Sequence, residues 1–177
     1  MLRWASSTPL SGIAAGAARI APGTSPDANS GIVTIIEPDV PKALQTVRVA
    51  VKTDSNDFAY VPKAFWVDTP RNLFRAVLAE TVSARNGMLV LDSGQFTVAS
   101  GRRLTGDLVD FGIDARTKQA VVTFDAVLVD KGSVVTKRRF TATAPVANIG
   151  PKGVARPIQD AANAVAVQVA DWLKSGG

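Results

Sequence analysis

The junction between Thr69 and Pro70 constrains the fold most, because an extended segment has to end there and a helix has to begin. A residue before proline is pushed into the β region, which suits a helix N-cap, and a proline at the first helical position gives up no helical hydrogen bond. Apolar side chains then recur at helical spacing, at Leu73, Phe74, Val77, Leu78 and Val82. We therefore predict a helix that packs one face on a sheet and ends at "RNG", residues 85–87.

Extended segments precede this helix. The first, residues 32–36, is rich in β-branched side chains and is typical of a strand buried on both faces. The second, residues 46–52, alternates valines with polar side chains, which indicates a strand with one buried face. Pro62 lies inside a third segment, residues 58–67, and predicts an edge strand or a bulge there.

Further extended segments follow the helix. A short apolar strand is predicted at 88–91, and the alternation slips by one residue within 104–113, which predicts a bulge near Asp107. Residues 119–129 place alternate apolar side chains on one face, and "DKGS" at 130–133 turns this segment into the next strand. These segments predict an antiparallel meander.

A second helix is predicted at 157–174, where Ile158, Ala162, Val165, Val169 and Trp172 form an apolar stripe. Strands, a helix, more strands and a terminal helix predict the α+β class: one domain with a mixed, largely antiparallel sheet and two main helices packed on one face. The folded domain is predicted at 32–174, with a short tail at 175–177.

Residues 1–31 are predicted to be a flexible tether. Ala, Gly, Ser and Pro dominate this segment, and such a composition cannot bury enough apolar surface to offset the entropy of ordering the chain. The stretch "SGIAAGAARIA" at 11–21 has some likeness to the core of a secretion signal, but Arg19 interrupts it, and we interpret it as linker.

The composition removes most catalytic chemistry. The chain contains neither cysteine nor histidine, so thiol catalysis, disulfides, typical zinc sites and imidazole bases have no residues to perform them. The carboxylates, among them Glu37 and Glu80, have no recognisable acid–base or metal-binding spacing, and no nucleotide-binding motif is present. We predict no catalytic residue, no metal site and no cofactor.

The net charge of +5 favours attraction to an anionic surface, which could be phospholipid, nucleic acid or an acidic protein. The basic residues cluster at 102–103 and 137–139, without the aromatic pattern of an RNA-binding sheet. We therefore do not predict a nucleic acid partner. No apolar run reaches the length that a membrane-spanning helix requires.

Several stretches, taken in order, resemble one known family. They are "EPDVPKAL" (37–44), "VRVAVK" (47–52), the element with Tyr60 and Trp66, "DTPRNLF" (68–74), "GDLVDFGID" (106–114), "FDAVLVD" (124–130), "KRRFTATAPV" (137–146) and "VADWL" (169–173). Together they span about residues 32–174 and resemble the ABC-type transport auxiliary lipoproteins, periplasmic components of Gram-negative transport systems that carry an MCE-domain protein.

The resemblance implies a non-enzymatic accessory component that docks on the MCE protein and aids phospholipid traffic between the inner and outer membranes. Its implied partners are that MCE protein, the permease and ATPase of the same system, and phospholipid. It also implies a periplasmic location and an outer-membrane lipid anchor. The chain contains no cysteine to carry such an anchor, so either the sequence is shortened, which we expect, or this member of the family is not lipidated. The alternative function is a lipid carrier that holds an acyl chain between helices and sheet.

Two sets of residues are candidates for binding. Tyr60, Phe65 and Trp66 could contact a partner, although Tyr60 and Trp66, like Trp172, could equally pin the sheet to the helices. Arg102, Arg103 and Arg138 are candidates for contact with an anionic headgroup, while residues 137–139 could equally form a solvated strand face. The predicted core residues are Pro70, Leu73, Phe74, Val77, Phe124, Val165, Val169 and Trp172.

Overall fold

The computed structural model of the chain describes residues 31–55, 57–92, 101–130 and 134–176. Its strands are β1 (Ile32–Ile35), β2 (Arg48–Lys52), β3 (Phe58–Phe65), β4 (Leu89–Asp92), β5 (Arg102–Asp114), β6 (Gln119–Asp130) and β7 (Val134–Pro145). Its helices are α1 (Pro70–Asn86), between β3 and β4, and α2 (Ala155–Lys174), after β7. The predicted tether, apart from Gly31, and most of the predicted turn at 130–133 lie outside the described residues.

The long strand β5 organises the sheet. One edge of β5 pairs with β6, and β6 pairs with β7, both antiparallel, which confirms the predicted meander. The other edge is shared: its first residues pair in parallel with β1, and its last residues pair in parallel with β2. β4 adds to β1 in parallel and β3 adds to β2 in antiparallel orientation. The sheet is therefore mixed, as predicted for this α+β domain.

Both helices cover the same face of the sheet. The ring of Phe74 in α1 lies 5.1 Å from that of Phe124 in β6, and Trp172 in α2 lies 5.5 Å from Phe140 in β7. Phe124 and Phe140 are paired across the two strands, so their side chains share a face. We call the opposite side of the sheet the open face.

The boundaries of α1 confirm the predicted signals. Thr69 is the N-cap with extended backbone, and Gly87, in the left-handed conformation, donates its N–H to the carbonyl of Ser83 at the other end. The Thr69 side chain makes no capping hydrogen bond; instead a carboxylate oxygen of Asp68 accepts from the Thr69 N–H and from the Asn72 amide. The side chain of Asp68 therefore orders the entry into the helix.

Two irregularities fall near the predicted positions. In β5 the register with β6 shifts between Leu108 and Asp110, close to the predicted bulge. In β3, an edge strand as predicted, Phe65 pairs with Arg48 but Tyr60 pairs with Ala50, so three extra residues of β3 bulge out of the ladder.

The prediction that residues 32–36 are buried on both faces is wrong. Val33 and Ile35 are buried, but the alternate residues Ile32 and Thr34 are only half-buried. The reason is that the helices lie on one face of the sheet, so alternate side chains of β1 point to the uncovered side.

Candidate docking surface

The β2–β3 ribbon presents large apolar side chains to solvent. Phe58 is 45% exposed and Phe65 is 36% exposed, and they pair with Lys52 and Arg48 at the two ends of β2. Tyr60 lies between them and is half-buried. These residues, with the exposed Val47 and Val67 beside them, form what we call the β2–β3 patch.

Tyr60 is held in place from two sides. Its hydroxyl donates to the carbonyl of Ala43 over 3.1 Å. The guanidinium carbon of Arg48 lies 4.4 Å from the centre of its ring, a cation–π distance. Both contacts fix the ring, so its side-chain entropy is already reduced in the folded domain.

Trp66 points the other way. It is only 3% exposed, and its ring meets the ring of Phe111 edge-on, with 5.8 Å between centroids. Phe65 and Trp66 are consecutive, and consecutive side chains of an extended chain alternate between faces. The structure therefore places Tyr60 and Phe65 at the surface and Trp66 in the core, where its indole packs rather than faces a partner.

A shallow hollow of about 80 Å³ adjoins Phe58 on the open face. Ala50 and Gly112, which are paired across β2 and β5, lie among its lining residues together with the charged Lys52, Asp110 and Asp114. Pockets that bind small molecules usually measure about 300–1,000 Å³. This hollow is therefore a shallow surface depression that is too small to be such a pocket.

The open face also carries a forked ion pair. Arg139 of β7 donates from Nε and Nη2 to the two carboxylate oxygens of Asp125 in β6, at 2.6 and 2.8 Å. These hydrogen bonds lower the pKa of Asp125; burial opposes the shift, and the charges of Arg139 and Lys137 add to it. The same carboxylate raises the pKa of Arg139. Asp125 is therefore held ionised although it is buried.

The ion pair makes the stability of the fold depend on pH. The substitution Arg139→Gln should remove this dependence. A depressed folded-state pKa stabilises the fold above the unfolded value of about 3.9, and this stabilisation disappears as the pH falls through the folded value. We expect Arg139→Gln to be less stable than the parent protein at neutral pH, and the difference to shrink below about pH 4. Urea denaturation across this range measures it; a difference that stays constant down to acid would contradict the assignment.

The three headgroup candidates do not converge. Arg102 donates to the carbonyl of Leu173 over 2.7 Å and lies 3.4 Å from a carboxylate oxygen of Asp130, so it caps the C-terminal end of α2. Arg103 is exposed and, as the next residue of the same strand, points to the opposite face. Arg138 is exposed, 5.4 Å from the ring centre of Phe140.

Sequence reasoning missed Phe58 and the buried Asp125. Phe58 stands two residues before Tyr60, so strand alternation alone could have placed both rings on one face. No local signal marks Asp125, because its partner Arg139 lies across a strand pair whose register depends on the turn. All eight predicted core residues are buried.

Two features bear on cofactors and membranes. In the part of the chain that the structure describes, no group of carboxylates is arranged to hold a metal ion. Neither α1 nor α2 combines the length and the apolar character that crossing a bilayer requires.

The fold and this surface define a class of protein: an α+β domain with two helices on one face of a mixed sheet and an aromatic ribbon at one sheet edge. The chain belongs to the family described as ABC-type transport auxiliary lipoprotein component, which it matches over residues 15–170. This confirms the resemblance predicted from the sequence. The chain is thus an auxiliary component of ABC-type transport, from a family of periplasmic, membrane-associated lipoproteins.

Solved structures with the same fold share little sequence with this chain. A protein from Xanthomonas campestris is 16% identical, with a TM-score of 0.73 over 82% of this chain and 84% of its own. An uncharacterized protein is 14% identical, with a TM-score of 0.67 over 83% and 92%. PelC from Paraburkholderia phytofirmans, crystallised as a dodecamer, is 18% identical, with a TM-score of 0.50 over 85% and 94%. None of the curated proteins is significantly similar to the chain.

Proposed function

We propose that this domain is a non-enzymatic accessory component that docks through the β2–β3 patch on the MCE protein of an MCE-type ABC transport system. In this role it aids phospholipid traffic between the inner and outer membranes, and the full-length protein is held at the outer membrane by a lipid anchor. Membership of the family supports the association with a transport system. The exposed aromatic patch is the observation that supports protein docking as its means.

The patch has the composition of a binding hot spot. Aromatic residues and arginine are enriched where interfaces bind most tightly, and the patch combines Phe58, Tyr60 and Phe65 with the stacked Arg48. The bulge in β3 and Pro62 disrupt the outer ladder of this edge. A partner would therefore bind to the side chains of the ribbon rather than add a strand to it.

The alternative, a carrier with an acyl chain between helices and sheet, has less support. The layer between α1 and β6 is filled by Phe74 and Phe124, whose rings touch edge-on. A groove of about 500 Å³ beside α2 is open and lined largely by polar side chains, among them Arg138, Gln168 and Asp171. Apolar ligands favour pockets with predominantly hydrophobic walls.

Removing the two exposed rings tests the docking proposal. We expect Phe58→Ser combined with Phe65→Ser to weaken binding to the purified MCE protein of the same system at least about thirtyfold, because even one hot-spot side chain contributes about 2 kcal/mol or more. Pull-down and titration calorimetry measure this loss.

The matched control is Val134→Ser combined with Val135→Ser, which removes two exposed apolar side chains at the far end of the sheet. It should bind the MCE protein as tightly as the parent chain. Equal weakening by both double variants would rule out the patch as the docking site. Stoichiometric phospholipid in the purified protein, without affinity for the MCE protein, would favour the carrier.

A further inference from the structure

At the end of the domain where the chain enters β1, elements that are distant in the sequence lie close together. Gly31, just before β1, accepts the N–H of Leu89 at the start of β4. Val33 pairs with Arg102 at the start of β5. Arg102 in turn contacts Asp130 at the end of β6 and the Leu173 carbonyl in the last turn of α2. We call this end the entry pole.

The C-terminal end of α1 and the start of β7 complete the entry pole. The Asn86 amide donates to the Ala170 carbonyl of α2 over 2.8 Å, so both helices end at the same side of the domain. Val134 pairs with Asp130, which places the start of β7 there as well. All these elements expose one common surface.

Positive charge accumulates on this surface. Its described cations are Arg85, Arg102, Arg103, Lys137, Arg138 and Lys174. Its described carboxylates are Asp92, Asp130 and Asp171, which are ion-paired with Arg75, Arg102 and Arg85. Lys137 lies near enough to Asp125 to lower its pKa, so three exposed cations, Arg103, Arg138 and Lys174, are left without an opposing carboxylate among the described residues of this end. At the opposite end, by contrast, the β2–β3 and β5–β6 turns carry three carboxylates and three cations: Lys52, Asp54, Asp57, Asp114, Arg116 and Lys118.

The entry pole also carries the most exposed large apolar side chains of the described residues. Val134 is 60% exposed and Val135 is 63% exposed, next to each other at the start of β7. Val135 pairs with Val129 and so lies on the open face, while Val134 points to the other face. Because these two side chains project from the end of a strand, both can enter a lipid layer together.

We propose that the entry pole contacts an anionic phospholipid bilayer, with Val134 and Val135 inserted among the lipids and Arg103 and Arg138 at the level of the phosphates. Two observations favour a bilayer: the excess of positive charge and the apolar tip. Basic residues beside an apolar tip are the combination that peripheral membrane binding uses. The inference does not depend on docking to an MCE protein.

Sedimentation of the full 177-residue chain with vesicles tests the proposal. Vesicles of phosphatidylethanolamine and phosphatidylglycerol in equal parts should bind the chain, and vesicles of phosphatidylcholine alone should bind it far less. Raising the ionic strength to about 0.15 M, where charges are screened beyond roughly 8 Å, should weaken the binding. Absence of binding to the anionic vesicles at low salt would overturn the proposal.

Two double variants test the apolar part and the charged part of the membrane contact separately. Val134→Ser with Val135→Ser should weaken vesicle binding about tenfold, because both side chains lose their transfer into lipid. Arg103→Gln with Arg138→Gln should weaken it about 25-fold, since each basic residue near an anionic surface contributes about a factor of five. All four side chains are exposed, so these variants should fold; circular dichroism checks this.

The matched controls lie elsewhere on the domain. Arg116→Gln with Lys118→Gln removes two cations at the opposite end, and Phe58→Ser with Phe65→Ser removes the exposed rings of the β2–β3 patch. Both should bind vesicles as the parent chain does. Equal loss in the charge control, or no loss in the valine variant, would overturn the proposal in favour of generic attraction. Tighter binding to double-stranded DNA than to the vesicles would also overturn it.

Discussion

Phe74→Ala is expected to lower the free energy of unfolding by about 3–5 kcal/mol. The Phe74 side chain is completely buried where α1 meets the sheet, and its ring lies 5.1 Å from Phe124 in an edge-on arrangement. Truncation removes the free energy of transferring the ring out of water and the contact of the ring with Phe124. It also leaves a cavity, because the closely packed sheet cannot move to fill the space. Since domains of this size are stable by only about 5–15 kcal/mol, the loss is large.

Urea denaturation followed by circular dichroism measures the effect, and Phe58→Ala is the matched control. Phe58 is the same residue type at the surface, and its truncation should change stability by no more than about 0.5 kcal/mol. If Phe74→Ala lost less than about 1 kcal/mol, the packing of α1 on β6 described above would be incorrect.

Gly106→Ala is expected to destabilise the protein by about 3 kcal/mol or more. Gly106 has a φ of 153° in the middle of β5, and a Cβ added there would lie 2.0 Å from the carbonyl oxygen of Asp125 in β6. Backbone cannot move aside as a side chain can, so the β5–β6 ladder would have to separate locally. The Gly106 carbonyl also accepts the Asp39 N–H at 2.9 Å, so the strain would reach the segment between β1 and β2.

Thermal and urea denaturation measure this effect, with Gly101→Ala as the control. A Cβ at Gly101 would lie 3.4 Å from its nearest neighbour, the carbonyl oxygen of Ile32. We expect that variant to stay within about 1 kcal/mol of the parent protein, because a compatible Gly→Ala change mainly restricts the unfolded chain. Similar stability of the two variants would mean that β5 and β6 approach less closely at Gly106 than described.

Local features of the fold could be predicted because each depends on neighbouring residues. Pro70 after Thr69 starts α1, Gly87 ends it, and Pro62 marks the irregular edge strand, each through the backbone conformations that the residue allows or forbids. The slip in the β5 alternation likewise located a bulge to within a few residues. The fold class and the family were predicted from these elements, taken in their order along the chain.

Long-range pairing could not be predicted in the same way. Nothing in residues 32–36 indicates that β1 pairs in parallel with both β4 and β5, because the partners are far away in the chain. For the same reason, the gathering of charges at the entry pole became visible only with the topology. The opposite orientations of Arg102 and Arg103, by contrast, could have been predicted from the sequence, because neighbouring residues of a strand point to opposite faces.

β5 links the two surfaces proposed for binding. Arg103 lies at the entry pole, and Gly112 lies beside the β2–β3 patch, nine residues farther along the same hydrogen-bonded strand. At roughly 3.3 Å per residue this is a rise of about 30 Å. A paired strand resists stretching, so if both surfaces bind as proposed, the sheet would hold the docked protein at a fixed height above the bilayer.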